Sequence, residues 1–168
     1  MFKFLIVALL ATFMVFGFEQ HDYFLIFERG EVVSFNTKFV RNFRIRTFKY
    51  NRTQAVMNMS IDLKIDFGNN VKVKVEGYKF ASNEYRGFPI VFERRLCSMI
   101  NSDEFGLRNL YKCGNISTCP IKKGSYHMCN WFPEESKLPP FVPIGSYKLE
   151  MTYMLDSEEV WVFNLYAT

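Results

Sequence analysis

The sequence predicts an all-β fold in which short strands pack as a sandwich or close as a barrel. Three observations carry this. Apolar residues recur at every second position in 56–67, 71–76 and 147–155; turn signals rich in Gly, Asn, Asp and Ser separate such stretches; and aromatic residues, which strands favour, make up 18% of the chain. A period of two places one set of side chains on a buried face and the other in water, which a half-buried strand satisfies and a helix does not.

The N-terminus is set apart first. Met1-Phe2-Lys3 gives a positive start, an uncharged apolar run follows over 4–16, and Val15-Phe16-Gly17 ends in a small residue. This reads as a secretory signal peptide, 1–17, cleaved near Gly17; the run is short of the roughly 20 apolar residues needed to span a bilayer. The remainder, 18–168, reads as one domain, long enough to bury a core.

Within 56–67, Met57, Met59, Ile61, Leu63, Ile65 and Phe67 share a face, opposite Asn58, Ser60, Asp62, Lys64 and Asp66. Gly68-Asn69-Asn70 makes a turn, and the next strand points Val71, Val73 and Val75 inward, so that the two read as an antiparallel hairpin. Past Gly77 the apolar role passes to Tyr78 and Phe80, as a bulge at Gly77 would produce. In 147–155, Tyr147, Leu149, Met151, Tyr153 and Leu155 align, and a turn at 156–158 leads to a last strand over 159–166. Weaker strand signals lie at 24–27, 32–35, 43–50, 90–92 and 125–132. Only 93–110 departs from this, with Leu96, Ile100, Leu107 and Leu110 at roughly helical spacing, which predicts one short helix or two helical turns.

Export sets the cysteine chemistry. Cys97, Cys113, Cys119 and Cys129 are an even set in one third of the chain, which implies disulfides; four cysteines allow three pairings, and the residues themselves do not choose. Zinc is disfavoured because Cys113, Cys119, His127 and Cys129 lack the close Cys-x-x-Cys pairs of structural sites. Sequons at Asn51, Asn58 and Asn115 are expected glycosylation sites on the surface of an exported protein. The net charge of +4 has both signs interspersed, and the alternating run 41–46 reads as the solvent face of a strand rather than a nucleic-acid surface.

No catalytic residue, cofactor or metal is expected. The histidines are His21 and His127, neither in a motif; Glu134-Glu135 and Glu158-Glu159 lie in or near loops and read as solvated; and no nucleophile elbow, zinc helix or phosphate loop is present.

The second half carries a recognisable order: Leu96-Cys97-Ser98-Met99-Ile100, then Cys119-Pro120-Ile121-Lys122-Lys123-Gly124-Ser125-Tyr126, then the run 137–149, from Lys137-Leu138-Pro139-Pro140 to Gly145-Ser146-Tyr147-Lys148-Leu149. Over about 86–155 it resembles an exported insect family that includes the CheA and CheB chemosensory proteins, and more distantly the ganglioside activator protein of the ML lipid-recognition superfamily. The resemblance implies an immunoglobulin-like, ML-type two-sheet sandwich with an apolar cavity between its sheets. It implies binding of a lipid or pheromone-like molecule, a role in chemosensation, and disulfides Cys97–Cys119 and Cys113–Cys129. The activator has a further cysteine pair that this chain lacks, which sets glycolipid functions apart.

Two groups of residues are candidates for a ligand site. In 131–145, four prolines block regular structure while Trp131, Leu138, Phe141, Val142 and Ile144 are apolar. They form either a greasy rim at a cavity mouth or a loop folded onto the end of the sandwich. On the inward faces, Met57, Met59, Ile61, Val73 and Val75, with Tyr147, Met151 and Tyr153, either line a cavity or pack a solid core. The expected protein is a secreted monomer whose partner is a hydrophobic small molecule, with a membrane surface or receptor as a further partner and no nucleic acid. The rivals are an extracellular protein–protein interaction module and a glycolipid-presenting cofactor.

Overall fold

The structure, a computed structural model, describes residues 24–139 and 142–168. The expected signal segment, His21 and Phe141 lie outside the described residues.

Eight antiparallel strands among the described residues form two sheets. The larger holds, side by side, β1 (Phe27–Phe35), β8 (Glu158–Ala167), β7 (Tyr147–Leu155), β4 (Val71–Ala81) and β5 (Glu84–Arg95). The smaller holds β2 (Val40–Lys49), β3 (Ala55–Leu63) and β6 (Gly124–Trp131). The two sheets face each other as an immunoglobulin-like sandwich, the fold class the sequence led us to expect. The alternation does the work locally: Val71, Val73 and Val75 are fully buried, while Lys72 between them pairs with Glu93 in water at 2.8 Å.

Two local expectations are corrected. The strand expected over 56–67 ends at Leu63, and it does not form a hairpin with the strand that follows; β3 belongs to the smaller sheet and β4 to the larger. The chain must cross between sheets there, so it leaves the β3 ladder. Phe67, fully buried, is held instead by a two-bond bridge to Ile121, both at 2.7 Å. The register break expected at Gly77 lies on the partner strand. Pairing of β4 with β7 runs unbroken through Gly77, whereas β5 carries two extra residues between Phe88 and Val91. A Cβ at Gly77 would meet that of Ile90 at 2.9 Å, so the missing side chain is what lets β5 bulge inward. Tyr78 and Phe80 consequently stay on the outer face, where Phe80 meets Tyr85 edge to face with centroids 5.1 Å apart.

The helical expectation over 93–110 is met from Leu96 onward; Glu93 to Arg95 complete β5. Helix α1 (Leu96–Asn101) buries Leu96, Met99 and Ile100, and a 3-10 segment (Glu104–Tyr111) buries Phe105 and Leu107. Together they close the side of the sandwich between the β5 and β6 edges. The disulfides are Cys97–Cys119 and Cys113–Cys129, the pairing the resemblance implied. The first ties α1 to the lead-in of β6, the second ties the end of the 3-10 segment to β6 itself. On the opposite side β1 lies against β2, and the Gly30 N–H donates to Thr47 Oγ1 at 2.9 Å. Trp131, which falls both in the strand expected over 125–132 and at the start of the expected proline-rich loop, closes β6 and is buried.

Candidate functional site

The inward face of β7 and β8 is a ladder of paired rungs: Tyr153 opposite Trp161, Met151 opposite Phe163, Leu149 opposite Leu165, and Tyr147 opposite Ala167. The first two rungs line one apolar space together with side chains of the smaller sheet, and the last two line another together with Phe105 of the 3-10 segment and with Pro133, Leu138, Pro139, Val142 and Pro143 of the proline-rich segment. Two apolar spaces lie end to end along this ladder.

The space between the sheets holds only about 70 Å³. Aromatic rings fill it. Trp161 stacks on Tyr153 with centroids 4.5 Å apart and on Phe67 at 5.2 Å, and Phe43 leans on it at 5.5 Å. An engineered apolar cavity of about 150 Å³ is known to take a molecule of the size of benzene, so this one is too small for a sizeable ligand without rearrangement.

The second space is larger, about 400 Å³, within the usual range of about 300–1,000 Å³ for small-molecule sites. Its floor is Leu149, Leu165 and Tyr147; its sides are Phe27, Ile90, Phe92 and Phe105; its roof is Leu138, Val142 and Pro143. Phe24, 90% exposed, and Ile144, 95% exposed, stand at the opening to solvent. Phe27 lines this space and Trp131 lines the other; their edge-to-face contact, 6.4 Å between centroids, separates the two. Trp131 is pinned there by its indole N–H donating to the Gly106 carbonyl at 3.3 Å.

The roof is held by backbone and polar contacts rather than regular structure. The Tyr147 hydroxyl donates to the Pro143 carbonyl, the Phe80 N–H donates to the Ser146 carbonyl at 2.8 Å, and the Glu134 N–H donates to the Phe105 carbonyl at 3.1 Å. The N-terminal side is closed by Leu25, whose N–H donates to Glu135 Oε2 at 3.0 Å, and by Ile26, which exchanges two backbone hydrogen bonds with Thr168.

The residues singled out in the sequence divide between these places. Leu138, Val142, Ile144 and Tyr147 line the larger space. Met57, Met59, Ile61, Trp131, Met151 and Tyr153 line the small one. Val73 and Val75 line neither and are packed solid. Phe24 to Phe27, Ile90, Phe92, Phe105 and Leu165 were missed as lining. The parity of β7 carried the signal for Leu149; nothing in the sequence says that Phe105 folds over it. Asn51 and Asn115 are exposed and Asn58 is half-buried, its Oδ1 accepting from the Asn130 N–H at 2.9 Å. His127 is exposed on β6, and its backbone N–H donates to Asn115 Oδ1 at 2.8 Å. Among the described residues, no group of three or more His, Cys, Asp or Glu is placed to hold a metal ion, and no helix is long and apolar enough to cross a membrane.

Burial pushes the phenol of Tyr153 far above the ordinary tyrosine range. The folded state keeps this proton after the unfolded chain, near pH 10, has released it. Stability is therefore unaffected below about pH 10 and falls above it, with a limiting slope of about 1.4 kcal/mol per pH unit. Tyr153→Phe is expected to flatten that alkaline loss, measured as denaturation midpoints across pH 8–12; an unchanged slope would rule Tyr153 out as its source.

Residues 69–149 match a family model described as "Protein of unknown function (DUF1091)". That stretch, just under half of the chain, holds β4, β5, α1, all four cysteines, β6 and the proline-rich roof. No curated protein matches the chain. Among solved structures, that of a Niemann-Pick type C2 protein from the Japanese carpenter ant is similar at 12% identity, over 83% of this chain and 92% of that one, with a TM-score of 0.34. A likeness at that level carries no argument about the site, which rests on the geometry above.

Proposed function

We propose that this protein is an exported, non-enzymatic carrier or presenter of a hydrophobic small molecule held at the end of its sandwich. The observation that carries this is the space of about 400 Å³ walled by Leu, Ile, Val, Phe and Pro side chains and open to solvent beside Ile144. A solid core would have collapsed onto itself; here hydrogen bonds from Tyr147, Phe80 and Glu134 hold the roof segment over the floor. Binding is by partition, an alkyl chain gaining about 0.8 kcal/mol per CH₂ removed from water. Two disulfides in a chain with an N-terminal export pattern support an extracellular setting, with glycans at the sequons. The resemblance of 86–155 to chemosensory proteins supports a pheromone-like or lipid ligand. The exposed Phe24 and Ile144 support a second reading, contact of the same mouth with a membrane or receptor.

Mass spectrometry of organic extracts from the secreted protein tests the carrier reading. Wild type is expected to yield a stoichiometric apolar compound, and Leu149→Trp, which fills the floor, is expected to lower retention at least about tenfold while far-UV circular dichroism stays unchanged. Equal recovery from both proteins overturns the assignment to this space.

A further inference from the structure

The inward series on β4 is Val71, Val73, Val75, Gly77 and then Lys79, and its last rung pairs Lys79 with Tyr147. An ammonium thus stands at the inward position next to a side chain that lines the large apolar space. Its Nζ lies 5.6 Å from the Tyr147 ring centroid, and its stem runs so close to Gly145, another lining residue, that a Cβ there would meet Lys79 Cε at 2.9 Å. Gly145 has a φ of +148°, a conformation that favours glycine, so backbone and stem are fitted together at this corner.

The charge of Lys79 is not answered within the described residues. Three lysines there are half-buried: Lys74, Lys79 and Lys148. Lys74 pairs with Glu76 at 2.9 Å and Lys148 with Glu150 at 3.1 Å, whereas Lys79 makes no ion pair. Opposite Lys79 on β5 stands another cation, Arg86, which pairs with Glu84 at 2.8 Å. A half-buried cation at the edge of a space otherwise almost wholly apolar lacks a counter-charge, and a ligand is the group that would bring one.

We propose that Lys79 is the head-group residue of this site, and that the ligand is a single-chain amphiphile with an anionic head, of the carboxylic acid class. This rests on the reading that the space under the proline-rich roof binds a hydrophobic molecule. The carboxylate lies at Lys79 and Gly145, and the chain runs inward over Leu149 and Leu165 toward Phe27 and Phe105.

Isothermal titration calorimetry with hexadecanoate and hexadecanol, matched in chain and differing in head, separates the two ideas. Wild type is expected to bind the acid about tenfold more tightly than the alcohol. Lys79→Met is expected to erase that preference and leave alcohol binding unchanged, and Lys79→Arg to keep it. Equal binding of acid and alcohol by wild type, or a preference surviving in Lys79→Met, overturns the head-group assignment while leaving the apolar site standing. Failure of both probes to bind wild type overturns this assignment and the carrier reading together.

Discussion

Trp161→Ala is expected to destabilise the protein by about 3–5 kcal/mol, the largest loss from any single side chain of the core. Trp161 lies where both sheets and the crossover meet. It stacks on Tyr153 from β7 and on Phe67 from the segment that crosses between sheets, with Phe43 of β2 tilted against it. Truncation would merge its volume with the space of about 70 Å³ already there, and the stiff ladders of β7 and β8 restrict collapse. Trp161→Phe should behave differently. The indole N–H is buried without a hydrogen-bond partner, so phenylalanine removes an orphaned donor along with part of the packing, and a net change below about 1.5 kcal/mol is expected. Guanidinium midpoints followed by far-UV circular dichroism check both. An alanine variant as stable as wild type would show that the stack does not hold the sheets together.

Removing the Cys97–Cys119 disulfide by double alanine substitution is expected to cost about 3 kcal/mol, from the entropy regained by an unfolded chain whose cross-link spans 22 residues. Cys113–Cys129 spans 16 residues, and the same relation again gives about 3 kcal/mol. Their local effects should differ. Without Cys97–Cys119, α1 loses its tether to the β6 lead-in, and its amides should lose hydrogen-exchange protection before those of β7 and β8. Without Cys113–Cys129, the early loss should fall on the end of the 3-10 segment near Tyr111. Chemical denaturation of each pair variant, combined with exchange mass spectrometry, reads both effects. Loss of protection spread evenly over the molecule would contradict the picture of two local staples on a sandwich that is otherwise self-supporting.

The strands themselves were legible because burial of one face imposes a period of two, and β4 shows it plainly, whereas β8 is buried on both faces from Val160 to Tyr166. The helical side closure was legible from Leu96, Ile100 and Leu107, each buried where that spacing placed it. The disulfide pairing came through resemblance, since three pairings were open on the residues alone. What misled was adjacency. The stretches 56–67 and 71–76 flank Gly68-Asn69-Asn70 and read as a hairpin, yet β3 ends at Leu63, residues 64–70 cross over, and β3 and β4 belong to different sheets. Local sequence sets where a turn lies, while the partner across a sheet is set by contacts far away in the chain.

Alternation along a strand therefore determined which side chains of this protein face inward, and with it the β class and most of the buried core. It did not determine what they face. Val73 and Val75 have the same parity as Leu149 and Tyr147, but the first two are packed solid while the last two floor an apolar space. The difference lies in what covers them: Leu149 and Tyr147 face Leu138, Val142 and Pro143 of an irregular segment, not a strand. Lys79 gives the same lesson from the other side. Its inward position follows from the β4–β7 register continuing through Gly77, a fact that exists only once the strands are paired.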